Sequence, residues 1–175
     1  MLSANSETMR LIESVGSRTR SYLLDEGRIA TQNMMLQFQD VSQLKLQYLT
    51  SIMSVEGPLD VLFAFSFDET LARKIMLEYT AELSVEPEDI ESYTEETVAD
   101  LINIVLGNAL GDFNLSGEAI KVSPPIVISG AKNIHKSRPA QFLTAELKTD
   151  HGELQIHCIG PRELFDPELN FIGSK

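Results

Sequence analysis

A single cysteine among 175 residues, Cys158, leaves nothing for an intramolecular disulfide or a cysteine zinc cluster, and such a chain fits a reducing cytoplasm. Basic side chains are scarce as well. Fourteen Lys and Arg stand against 26 Asp and Glu, a formal charge of -12, so the surface repels phosphate backbones and anionic lipid, and neither nucleic acid nor membrane is an expected partner. Long apolar runs are missing: the longest, Val61 to Phe67, is broken by Ser66 and falls far short of the ~20 residues that cross a bilayer. The opening residues, Met1-Leu2-Ser3-Ala4-Asn5-Ser6-Glu7, lack the basic start and apolar core of a secretory signal, so a cytoplasmic location is expected. His135, His151 and His157 share no ligand spacing, and glycine-rich phosphate loops are absent, so neither a metal site nor nucleotide binding is expected. Cys158 has no motif around it and reads as a buried, inert thiol.

What is present suits one globular domain: 43% hydrophobic and 23% charged residues are ordinary for a chain that buries a core. We expect a single domain over 1–175, with an N-terminal helical extension at 1–28, a core at 29–160 and a tail at 161–175. Met9, Ile12, Val15, Tyr22 and Leu23 form one apolar stripe of a helix from about Glu7 to Glu26, open to a break near Gly16. Alternation at Leu44, Leu46, Tyr48 and Ile52 predicts two strands between Ile29 and Val55. Glu56-Gly57-Pro58 then turns the chain into a buried strand, Leu59 to Phe67.

Asp68 is placed to cap a helix through Leu71, Ile75, Met76 and Tyr79. The acidic stretch Glu82 to Glu96, with Pro87, reads as a solvated connection. A second helix is expected from about Glu95 to Phe113, opened by Thr94 and Thr97. Strands follow near Ala119–Ile128, Gln141–Thr149 and Glu153–Ile159, the last two joined by a tight turn in which Gly152 supplies a positive φ. The order implies an α+β fold: a mostly antiparallel sheet with two long helices packed on one face.

The second helix holds the candidate chemistry. With Val98 taken as zero and about 100° per residue, Leu101, Ile102, Val105 and Ala109 face the core. Glu96, Asp100, Asn103 and Gly107 form a polar stripe on the far side. Any amphipathic helix has a polar outer stripe. Two features set this one apart: Gly107 costs ~1 kcal/mol against Ala inside a helix yet lets another surface come close, and Asn103 is a mediocre helix former in mid-helix. A carboxylate beside a carboxamide on a rigid helix can grip a cation while the amide hydrogen-bonds a water.

The run Asp100-Leu101-Ile102-Asn103-Ile104-Val105-Leu106-Gly107-Asn108-Ala109, followed by Ser123-Pro124-Pro125-Ile126-Val127-Ile128-Ser129-Gly130, resembles the CheC/CheX/FliY group of chemotaxis phosphatases, CheX most of all. The resemblance covers about Ile29 to Ile159. It implies a CheX-like fold and hydrolysis of the aspartyl phosphate on a CheY-like receiver domain. By the same resemblance Asn103 orients the attacking water and Asp100 binds the receiver's phosphate-site lysine. The family's acid is typically Glu, one methylene longer than Asp100; Glu96, one turn earlier, would supplement it, and Gly107 would admit the partner. No cofactor of its own is implied, since the Mg²⁺ is expected in the receiver, whose charge it neutralises. The first long helix after Asp68 carries no acid-x-x-Asn pair, as in CheX, so one site per chain is implied. CheX-like proteins also dimerise by joining sheets, which makes a homodimer the expectation, with Phe142–Leu147 and Leu154–Ile159 as the edge strands. The small basic loop at Lys132, Lys136 and Arg138 could steer an acidic receiver surface. Two rivals remain: a CheX-like module that binds a receiver or another signalling partner without hydrolysis, and a small-molecule sensor, which would need a pocket.

Overall fold

The computed structural model describes residues 4–39, 43–57, 59–112, 119–135 and 140–161. The expected pair of strands in residues 29–55 is three: β1 (Thr31–Gln39), β2 (Gln43–Lys45) and β3 (Leu49–Glu56), followed by β4 (Val61–Phe67). Gly57 makes the β3–β4 turn at φ 141°, and a Cβ there would lie 3.1 Å from the Ala119 carbonyl oxygen. That backbone region favours glycine. The single strand expected over Ala119–Ile128 is cut into β5 (Lys121–Val122) and β6 (Ile126–Ser129). Pro124 and Pro125 lie between them and have no N–H to give to a ladder. A short β7 (Asn133–His135) pairs with β2 as a separate two-stranded sheet, where sequence suggested only a loop. Lys136 and Arg138 lie outside the described residues, as do those beyond Pro161.

β8 (Ala140–Thr149) and β9 (Gly152–Pro161) form the expected hairpin, with Gly152 at φ 128°. Their place in the sheet differs from expectation. The order β1-β8-β9-β4-β3-β5, with β6 also on β3, is antiparallel throughout. β8 and β9 are therefore interior strands, and the edges are β1 on one side and β5 with β6 on the other. The edge assignment for Phe142–Leu147 and Leu154–Ile159 is corrected by this long-range β1–β8 pairing, which local alternation does not encode.

Period-two burial decides which face is covered. Leu49, Met53 and Val55 of β3, Phe63, Phe65 and Phe67 of β4, Leu143, Ala145 and Leu147 of β8, and Leu154, Ile156 and Cys158 of β9 form one apolar face. Three helices cover it: α1 (Ala4–Asp25), α2 (Glu69–Tyr79) and α3 (Ile90–Asp112). α1, expected as an extension, contributes Leu11, Ile12, Val15 and Leu23 to this same core. It runs unbroken through Gly16, where a Cβ would lie 2.6 Å from Met34 Sδ, so the glycine allows β1 to approach. Asp68 caps α2 as expected, its Oδ1 accepting from Leu71 N at 2.7 Å, and its Oδ2 also accepts from Glu153 N at 2.7 Å. One carboxylate thus ties α2 to the β8–β9 hairpin.

α3 starts five residues before its expected Glu95. A 3-10 turn at Pro87–Asp89 leads directly into Ile90, because proline fits the first position of a helical turn. Thr94 and Thr97 are not caps but buried mid-helix residues whose hydroxyls donate to the Ile90 and Tyr93 carbonyls at 2.6 and 2.7 Å. The first turn of α3 is held from both sides. Tyr48 Oη donates to Glu91 Oε1 at 2.6 Å, Arg73 Nη2 reaches Glu91 Oε2 at 3.3 Å, and the Arg73 guanidinium lies 5.7 Å from the Tyr48 ring centre. Burial and the Glu91 carboxylate push the Tyr48 phenol up to about 12, against the neighbouring Arg73.

Candidate functional site

The 3.6-residue period of α3 divides it into a core face and an open face. Val98, Leu101, Ile102, Val105, Leu106 and Ala109 are buried. Glu96, Asp100, Asn103 and Gly107 are all exposed, so the four residues singled out in the sequence share the open face. Three and four residues apart, they are neighbours along the helix surface. The side chains of Glu96, Asp100 and Asn103 make no hydrogen bond or ion pair among the described residues. The pair is therefore free to engage something outside the chain.

Among the described residues nothing requires Gly107 to be glycine. A Cβ built on it meets nothing within 4 Å, and the same holds for Gly111 one turn later. Its conformation is helical, so the missing side chain lowers helix stability and gains only a flat surface next to Asn103. The frame around this surface is fixed at both ends of α3: Glu91 by Tyr48 and Arg73, and Asp112 by Arg18 of α1, whose Nε lies 2.7 Å from Asp112 Oδ2. Exposed ion pairs contribute little to stability, but these set the position of the helix against its neighbours.

Beside the stripe lies a cleft of about 420 Å³ between α1 and α3, lined by Tyr22, Glu26, Tyr79, Ile104, Val105 and Asn108 among others. Ile104 and Tyr79 are 39% and 43% exposed at its rim. The Tyr22 hydroxyl is buried and meets no well-formed hydrogen-bond partner among the described residues, with Tyr79 as its neighbour. Burial raises the Tyr22 pKa first of all, and Tyr79, Glu26 and Asp100 add to the shift. In the sequence Tyr22 and Tyr79 read only as apolar positions of their own helices, and Ile104 only as part of the acid-x-x-Asn run. Tyr22 and Tyr79 come from helices far apart in the chain, and no local pattern announces their meeting.

The remaining candidates are placed away from the stripe. His157 is buried on β9, its Nδ1 2.8 Å from Thr144 Oγ1, and burial lowers its pKa to about 4. It is thus uncharged at neutral pH. The Cys158 thiol is buried in the core and its pKa is pushed up by that burial. Among the described residues no group of three or more His, Cys, Asp or Glu could hold a metal ion, and no helix is long and apolar enough to cross a membrane.

Residues 49–147 match the family described as chemotaxis phosphatase CheX. No curated protein matches the sequence. Among solved structures, the chemotaxis protein CheX from Desulfovibrio desulfuricans is similar with a TM-score of 0.73 and 17% identity, over 85% of this chain and 97% of that one. CheX in the CheX-CheY-BeF3-Mg+2 complex from Borrelia burgdorferi gives 0.65 and 17%, over 85% and 97%. FliY from Thermotoga maritima gives 0.57 and 15%, over 93% and 91%. At these identities the structures speak for the fold. The matched span runs from β3 into β8 and takes in all of α3 with its acid-x-x-Asn stripe, and the chain belongs to the CheX family of chemotaxis phosphatases.

Proposed function

We propose that the protein hydrolyses the aspartyl phosphate of a CheY-like receiver domain, with the open face of α3 as its active surface. The observation that carries this reading is the pair Asp100 and Asn103: exposed, adjacent and unengaged on a helix anchored at both ends. The CheX–CheY complex from Borrelia burgdorferi supports a receiver as the partner. In this reading the Asn103 carboxamide holds a water in line with the phosphorus. Water oxygen bonds to phosphorus, the bond to the aspartyl oxygen breaks, and the receiver's carboxylate and inorganic phosphate are released. Asp100 pairs with the receiver's phosphate-site lysine, Glu96 adds negative charge one turn away, and Gly107 lets the receiver close on the helix. Little covalent chemistry is asked of this chain, because phosphoryl transfer depends on positioning and on charge, and the receiver's Mg²⁺ supplies the latter.

Phosphate release from a phosphorylated receiver, followed with and without the protein, tests this directly. Asp100→Ala is expected to weaken the receiver interaction about tenfold or more, since truncating one member of a covered charge pair leaves the other unpaired. Asp100→Glu restores the family's longer side chain and is expected to keep or raise activity. Equal affinity and rate in both variants would remove Asp100 from the mechanism.

A homodimer is part of the same proposal, with a different edge from that expected in the sequence. β1 is a nine-residue edge strand, TQNMMLQFQ, without a charged residue or proline. Within the strand itself no charge or proline blunts it. The opposite edge is short and interrupted by Pro124 and Pro125, so β1 pairing with its own copy about a two-fold axis is the favoured joint. Light scattering should give twice the 19.5 kDa chain mass, and a charge placed at Met35, which is 39% exposed on β1, should shift it to the monomer. A mass of one chain for the parent would contradict the joint.

A further inference from the structure

All three helices contribute to the cleft beside the stripe: Tyr22, Asp25 and Glu26 come from the C-terminal end of α1, Tyr79 from the end of α2, and Ile104 from α3. Ile104 directly follows Asn103 and stands about 100° round the helix from it, so whatever covers the stripe also overhangs the mouth of the cleft. The lining is aromatic and acidic. Arg18, the basic residue in it, is taken by Asp112, whereas Asp25 and Glu26 are exposed and make no ion pair among the described residues. Their position is unfavourable for the fold. The last turn of α1 holds no basic residue, and the negative end of a helix dipole repels a carboxylate. In the wall, the Tyr22 hydroxyl is buried without a well-formed hydrogen-bond partner among the described residues, although nearly all buried polar groups in folded proteins have one. Carboxylates placed against a local rule, tyrosine rings and a spare acceptor together are the complement of a cation.

We infer that the cleft is a binding subsite for an arginine side chain that the receiver presents beside its phosphorylated aspartate. This rests on the functional reading above, with a receiver as the partner. A guanidinium stacks on tyrosine faces, is more weakly hydrated than an ammonium, and has N–H groups enough to donate to a carboxylate and to the Tyr22 hydroxyl at once. A cleft of about 420 Å³ gives it room. Exposed acids contribute little while water surrounds them. A docked receiver strips that water away, and the pairing gains strength in the complex. The α1 wall of the cleft lies outside residues 49–147, the span of the family match, whereas Asp100 and Asn103 lie within it. The cleft is thus suited to choosing the receiver, and the stripe to acting on it.

The double variant Asp25→Asn with Glu26→Gln keeps the shape of the cleft and removes its charge. It should raise Kd for a receiver carrying beryllofluoride and Mg²⁺ about tenfold or more, flatten the dependence of that Kd on salt, and leave kcat for phosphate release nearly unchanged. Its thermal midpoint should hold or rise, since the helix end loses two unfavourable charges. An unchanged Kd, or a lowered midpoint, would overturn the inference. The occupant is found from the other side: alanine variants of the receiver's exposed Arg, Lys and large apolar residues around its phosphorylation site are each titrated against the parent and the double variant. One arginine should cost about tenfold against the parent and nothing further against the double variant. Coupling to a lysine or an apolar residue instead, or to none, would reject the arginine subsite. Coupling of that arginine to the cleft without phosphate release would sink the phosphatase reading alone; release by a chain whose receiver affinity ignores Asp25 and Glu26 would sink the cleft inference alone.

Discussion

Asn103→Ala is expected to abolish stimulated dephosphorylation of the receiver while leaving the fold untouched. The loss should be about a hundredfold or more, the scale on which one polar group aimed at a transition state matters. The structural side of this expectation is unusually clear, because the Asn103 side chain is exposed and bonds nothing among the described residues. Surface changes of that kind stay within about 0.5 kcal/mol, and Ala is the better helix former. The thermal midpoint should therefore hold or rise slightly. A collapse of stability would make Asn103 a structural residue, and full activity would place the chemistry elsewhere.

The second large effect is expected at Gly107. A Cβ there meets nothing within 4 Å, so Gly107→Arg is free to form in the folded chain and should stabilise α3 by about 0.8 kcal/mol through helix propensity alone. Its long side chain would stand beside Asn103, where the receiver must close. We expect at least a tenfold rise in KM together with a higher thermal midpoint, whereas Gly107→Ala should gain the stability and keep most of the activity. Stability and function then move in opposite directions, as they do where a surface is shaped for a partner. Undiminished turnover by the Arg variant would show that no partner covers this turn of α3.

Which parts of this were legible in the sequence follows from the range of the forces involved. The stripe Glu96, Asp100, Asn103, Gly107 could be placed on one face because a helix writes its period into consecutive residues, and the Asp68 cap and the Gly152 turn are local in the same sense. The start of α3 was misplaced because the acidic run around Pro87 has no apolar stripe, and the helix there is held by Tyr48 and Arg73 from distant elements. Gly16 suggested a break and is instead a point of close approach to Met34. The edge strands were misassigned for a similar reason. β1 pairs with β8 across more than a hundred residues, and nothing in the alternation of either strand names its neighbour. Within the site, the acid and the amide lie on one helix and could be read together. Tyr22 and Tyr79 meet beside them only through the packing of α1 and α2 around α3.

The most direct measurement is single-vessel turnover: a receiver domain phosphorylated in large excess over this protein, with inorganic phosphate followed over time. A CheX-type phosphatase releases many equivalents of phosphate per chain, at a rate proportional to the protein added and abolished in Asn103→Ala. A chain that binds the phosphorylated receiver yet leaves its decay at the unassisted rate, or slows it, would contradict the catalytic role of the α3 face.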